Sequence, residues 1–199
     1  DVIDPVRYSV TLETDGADKD LAETLERASL LVQGEEAPVS GDLGLVIKAR
    51  DDRDRLVATL YENSRYGGVV SVTVNGRDID DLPPIPTFGH DGPVPVTIRV
   101  EPGPAFALGN VTLEGDAAGL DPAAYDLVPG APAGSLLILK AGEKIVDDLK
   151  AEGRPLAVLA RRDVVADHES RTVDVVLSVK AGPVAPIGEV TVKGARKVD

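Results

Sequence analysis

Cysteine is absent from the 199-residue sequence, which excludes disulfides and thiolate chemistry. Aromatic residues make up only 3% of it, so a core must be assembled from Val, Leu, Ile and Ala. No apolar run approaches the roughly 20 residues that a membrane-spanning helix needs, and no charged and apolar leader opens the chain. Basic residues are outnumbered, 21 Lys and Arg against 34 Asp and Glu, for a formal charge of -13. That balance repels a phosphate backbone or an anionic lipid surface. The short basic stretches, Arg161-Arg162 and Lys193 to Lys197, are too interrupted to reverse it, so nucleic acid is not an expected partner. The chain begins at Asp1 and stops just after a strand-like segment, and an excised piece of a longer protein is expected.

Enzymatic signatures are missing too. There is no HExxH, CxxC, GxSxG or phosphate-cradling glycine loop. The two histidines, His90 and His168, fall in polar loops and read as surface side chains. Ser135 follows a glycine but has no partnered base, and reads as a helix cap. Asp51-Asp52-Arg53-Asp54 alternates in sign without the glycine and distal glutamate of a calcium loop, the pattern of a solvated helix face. Asp78, Asp80 and Asp81 read as loop carboxylates. No catalytic residue, cofactor or metal ligand is expected.

What the sequence does contain is a globular composition, 43% hydrophobic and 28% charged, and an internal repeat. Val96 to Gly115 matches Val175 to Gly194 without gaps, with Gly103-Pro104, Gly109, Val111-Thr112 and Gly115 finding identical partners. Val10 to Glu13 repeats Val111 to Glu114. Each copy reads as an alternating strand, a Gly-Pro turn and a second strand; glycine opens unusual backbone angles for the turn and proline fixes φ. Between the copies lie helical stretches. Leu21, Leu25, Ala28 and Val32 share one helix face opened by Asp18 and Asp20 and stopped by Gly34. Leu43 to Glu62 forms a longer helix with a solvated middle, and Val69 to Val74 a strand after Gly67-Gly68. In the second unit, Asp121 caps a short helix over Pro122 to Leu127. A helix after Ser135 buries Ile138, Ile145 and Leu149 and ends at Gly153, and strands Leu156 to Ala166 and Thr172 to Lys180 flank a polar hairpin loop.

The reading is an α+β chain of two tandem modules in the order β-α-α-β-β, each a three-stranded mixed sheet under two helices, plus the first strand of a third. The expected boundaries are 1–103, with an enlarged proline-rich loop at about 77–94, then 104–182 and 183–199. Gly103, Pro104, Gly182 and Pro183 mark the joints. Unpaired strand edges invite an extended partner to add a strand. The candidates are the strands after each helix pair, at Val70, Val72 and Val74 and at Leu156, Val158 and Ala160.

The junction motifs, Gly103-Pro104 with Leu108 to Gly115 and Gly182-Pro183 with Ile187 to Gly194, resemble those between successive polypeptide-transport-associated (POTRA) domains of the outer-membrane protein assembly factor superfamily. Within it, Asp51 to Tyr66 leading into Gly67-Gly68, and Arg162 to Asp167, are most similar to the translocation and assembly module (TamA) branch. Tyr66-Gly67-Gly68 and Gly153-Arg154-Pro155 depart from the Gly-Tyr-Tyr or Gly-Tyr-Phe commonly found after the second helix. The resemblance implies a non-enzymatic periplasmic arm that precedes an outer-membrane β-barrel in the whole protein. Its implied partners are unfolded outer-membrane or autotransporter clients and a TamB-like protein anchored in the inner membrane. A two-partner secretion pore, a division protein and a secreted carbohydrate- or metal-binding module are the competing readings.

Overall fold

In the computed structural model, residues 2–89 and 91–185 are described. The chain runs β1 (Pro5–Val6), β2 (Tyr8–Glu13), α1 (Lys19–Ala28), α2 (Leu30–Gln33), β3 (Val39–Ser40), α3 (Gly41–Glu62), β4 (Val69–Val74), β5 (Arg77–Asp78), a 3-10 turn (Ile79–Asp81) and β6 (Val94–Glu101). It continues through β7 (Ala107–Gly115), a second 3-10 turn (Pro122–Tyr125), α4 (Ser135–Ala151), β8 (Val158–Asp167) and β9 (Thr172–Lys180).

In each unit the last strand enters between the first two. β6 runs parallel to β2 and antiparallel to β4, and β9 runs parallel to β7 and antiparallel to β8. Alternation in the sequence explains why these strands are central. Val94, Val96, Ile98 and Val100 are all buried, as are Val173, Val175, Leu177 and Val179, so each strand turns one apolar face to its helices. Two separate apolar clusters result, one drawn from Val6 to Val100 and the other from Phe106 to Ala181. The expected α+β layering in tandem modules is observed. The first sheet is extended by β5 to the order β2-β6-β4-β5, and the second is β7-β9-β8.

Several local expectations need correction. The amphipathic stretch from Leu21 to Val32 is not one helix, because it breaks at Ser29, where ψ is 121°. The cause lies on α3. Asp52 is fully buried rather than solvated, and accepts hydrogen bonds from Ser29 Oγ at 2.7 Å and from the backbone N–H groups of Leu30 and Leu31 at 2.5 and 3.3 Å. A carboxylate placed there satisfies the orphan donors of α2, and so favours starting a new helix over continuing the old one. Ser135 does not cap α4. Gly134 occupies the cap position and no side chain bonds there. Pro122 to Leu127 tightens into a single 3-10 turn, although Asp121 does accept from Ala123 N–H as expected of a cap. The third-module strand, Ile187 to Gly194, and His90 lie outside the described residues.

Candidate functional site

β8 is the exposed edge of the second sheet. It pairs with β9 along its length and has no strand on its other side among the described residues. Register with β9 divides its side chains between two faces. Leu159, Arg162, Val164 and Ala166 lie opposite Val179, Leu177, Val175 and Val173, on the α4 side, while Val158, Arg161, Asp163 and Val165 face away. The register shifts between Leu159 and Arg161, which places Ala160 at a bulge. Arg161 is held on the outer face by Asp163 at 3.0 Å and Glu114 at 3.5 Å. The strand starts at Val158, so Leu156, expected within it, belongs to the preceding turn. Leu156 is 65% exposed, Val158 52% and Val165 64%, an apolar display unusual for an edge open to water.

α4 does not cover the whole inner face of this strand. Two hollows line the seam between them. A cleft of about 500 Å³ near the start of α4 is bounded by Tyr61, Leu136, Leu139, Arg162, Val164 and His168. A second, of about 420 Å³, lies against Val146, Lys150, Val158 and Leu159. Leu159 packs on Gly142 between them, 3.1 Å from where a Cβ would stand.

The first module's edge differs. Val70, Val72 and Val74 are 8%, 0% and 0% exposed and point into the core, so their side chains are not available to a partner. The edge of β4 is also partly taken, since Thr73 and Val74 pair with β5. Ile79 then drops into the core at the seam of α3 and β4, with its carbonyl accepting from Arg50 Nη2 at 3.3 Å. Arg53 Nη1 lies 2.9 Å from both carboxylate oxygens of Asp80, and that pairing raises the guanidinium's already high pKa. Farther on, Phe88 is buried and its N–H donates to Asp42 Oδ2 at 2.8 Å.

The joint residues come together as a set. Gly103 has φ +64° and its carbonyl accepts from Arg65 Nη1 at 2.7 Å, while Phe106 N–H donates to Ser64 O at 2.8 Å. Positive φ is the reason for glycine here. Gly182 repeats the arrangement, with φ +70° and its carbonyl 2.9 Å from Arg154 Nη1, and Ala185 N–H donates to Gly153 O at 2.8 Å. Pro104 and Pro183 follow the two glycines, outside any helix or strand. An aromatic row that sequence reasoning misses crosses the first joint. Tyr61 stacks on Tyr66 at 5.1 Å, Tyr66 leans on Phe106 at 5.7 Å, and Phe106 meets the edge of His168 at 5.3 Å. Tyr66 Oη donates to Ala133 O at 2.6 Å, and burial, then the nearby Tyr61, raise the pKa of its phenol. The available signal is the scarcity itself, because several of the chain's few ring side chains meet here. Among the described residues no group of three or more metal-ligating side chains is assembled. No described helix is long and apolar enough to cross a membrane.

No family model and no curated protein matches the sequence. Solved structures do. POTRA domains 3–5 of BamA from Haemophilus influenzae superpose with a TM-score of 0.55 at 17% identity, over 90% of this chain and 68% of that one. The fold is the POTRA fold. POTRA domains 1–2 of Omp85 from Anabaena are also similar, at 12% identity with a TM-score of 0.48, over 91% of this chain and 98% of that one. In POTRA terms, β8 is the strand that follows the helix layer and closes one side of the second module's sheet.

Proposed function

We propose that this chain is a periplasmic arm of an Omp85-type outer-membrane assembly factor, and that its second module holds extended segments of unfolded client proteins by strand addition to β8. The observation that carries the reading is the state of that edge: ten residues of strand with one neighbour among the described residues and with apolar side chains in water. A strand edge supplies unpaired N–H and C=O groups, so it can recognise extended backbone with little demand on sequence, which suits a protein that handles many clients. Module boundaries at 103/104 and 182/183 are part of this proposal. They are supported by the two separate apolar clusters and by the matching glycine turns. A TamA-like place for the arm, working with autotransporter clients and a TamB-like partner, is the finer form of the reading, and rests on the stretches Asp51 to Gly68 and Arg162 to Asp167.

Photo-crosslinking tests it. Benzoylphenylalanine at Val165, on the outward face of β8, is expected to capture a urea-denatured outer-membrane β-barrel protein as it is diluted out of denaturant. The same probe at Ser71 on β4 should capture little. Equal capture at the two positions, or none at Val165, would count against the assignment.

A further inference from the structure

The two modules share one architecture, so each shows what the other could accommodate. Aligning their sequences on the left-handed residue that follows each long helix, Ser64 with φ +64° and Gly153 with φ +88°, sets Val69 at the start of β4 in register with Val158 at the start of β8. It also sets Arg50 opposite Leu139 and Arg53 opposite Gly142. In the first module those two arginines grip the segment after β5, which pairs with the end of β4 and sends Ile79 into the seam between helix and strand. In the second module nothing in the described chain takes that place, and the matching positions line or border open hollows instead. The first module therefore fills, with a segment of its own chain, a place that the described residues of the second leave open.

Resting on the strand-addition reading, we infer that the α4/β8 groove of the second module receives an extended segment of another polypeptide that inserts one large apolar side chain beside Leu139 and Val164, as Ile79 inserts beside α3 and β4. The Arg77–Phe88 segment closes the first module to such ligands. Selectivity thus comes in two parts. The backbone edge accepts any extended chain, and the cleft of about 500 Å³ favours those carrying a bulky aliphatic residue, because replacing Arg50's position by Leu139 turns a charged grip into an apolar wall.

The test uses the whole 199-residue chain and two fluorescein-labelled peptides of about ten residues of Thr, Ser and Asn, one with a single central isoleucine and one with serine in its place. Fluorescence anisotropy should show the isoleucine peptide binding about tenfold more tightly, equivalent to ~1.4 kcal/mol. Val164→Glu and Leu136→Glu, each at a side chain already about two-fifths exposed, should abolish the difference while circular dichroism stays unchanged. Val69→Glu, on the first module's edge, should leave both affinities as they were. Equal binding of the two peptides overturns the groove but leaves strand addition standing, whereas binding of neither overturns both. Sensitivity to Val69→Glu overturns the closure of the first module. Concentration-dependent dimerisation that Val164→Glu abolishes makes a second copy the occupant, and overturns the inference as stated.

Discussion

Asp52 shows how much one side chain can decide. It ends one helix and starts another by collecting three donors around a fully buried carboxylate. Removing it leaves the buried donors of Ser29 and Leu31 and the part-buried one of Leu30 without this acceptor, so Asp52→Ala is expected to lower unfolding stability by about 3 kcal/mol, read as a fall in the urea midpoint at unchanged slope. Its role is not legible in the sequence, because the partners at Ser29 to Leu31 are far away along the chain and the neighbouring Asp51, Arg53 and Asp54 give the stretch the look of a wet surface. Tyr66 behaves differently. Its raised phenol pKa means that the folded chain holds this proton more tightly than the unfolded one, so its contribution is complete below the ordinary value of 10.0 and is lost as pH rises through the shifted value. Tyr66→Phe should therefore cost about 1 kcal/mol at neutral pH, and should flatten part of the decline in melting temperature above pH 10.0.

Among the elements, strands are easier to read than helices. Thr172–Lys180 is legible to the residue, since alternating β-branched side chains state both the conformation and the buried face. The breaks and caps of helices depend on tertiary partners, and so does the distinction between an edge that is free and one that is covered. That is why β4 and β8 look equivalent in the sequence: only folding brings Ile79 back to the seam of α3 and the first of them. The β8–β9 hairpin yields a prediction of its own. Asp167 Oδ1 accepts from Glu169 N–H at 2.9 Å and Ser170 N–H at 3.4 Å, and hydrogen bonding from Ser170, chiefly its side chain, and from Glu169 lowers the carboxyl pKa. The turn's support is thus complete above the ordinary aspartate value of 3.8 and fades as pH falls through the lowered one. Amide exchange at Glu169 and Ser170, corrected for intrinsic rates, should accelerate over that acid range in the parent and already be fast in Asp167→Ala at neutral pH.

At the level of the molecule, the start of α4 sits against the end of α3. A Cβ at Gly134 would stand 2.5 Å from Glu62 O, a contact that only movement of the backbone can relieve. Gly134→Ala should change the angle between modules while leaving each one folded, visible as altered small-angle scattering with an unchanged far-ultraviolet spectrum. The same clasp occurs at both exits, an arginine on a glycine carbonyl and a carbonyl after the helix on an outgoing amide. Each module thus carries its own coupler, like a railway carriage. Such a train can be lengthened or shortened by whole units, and the bearing of the second carriage is set locally, where the first one ends.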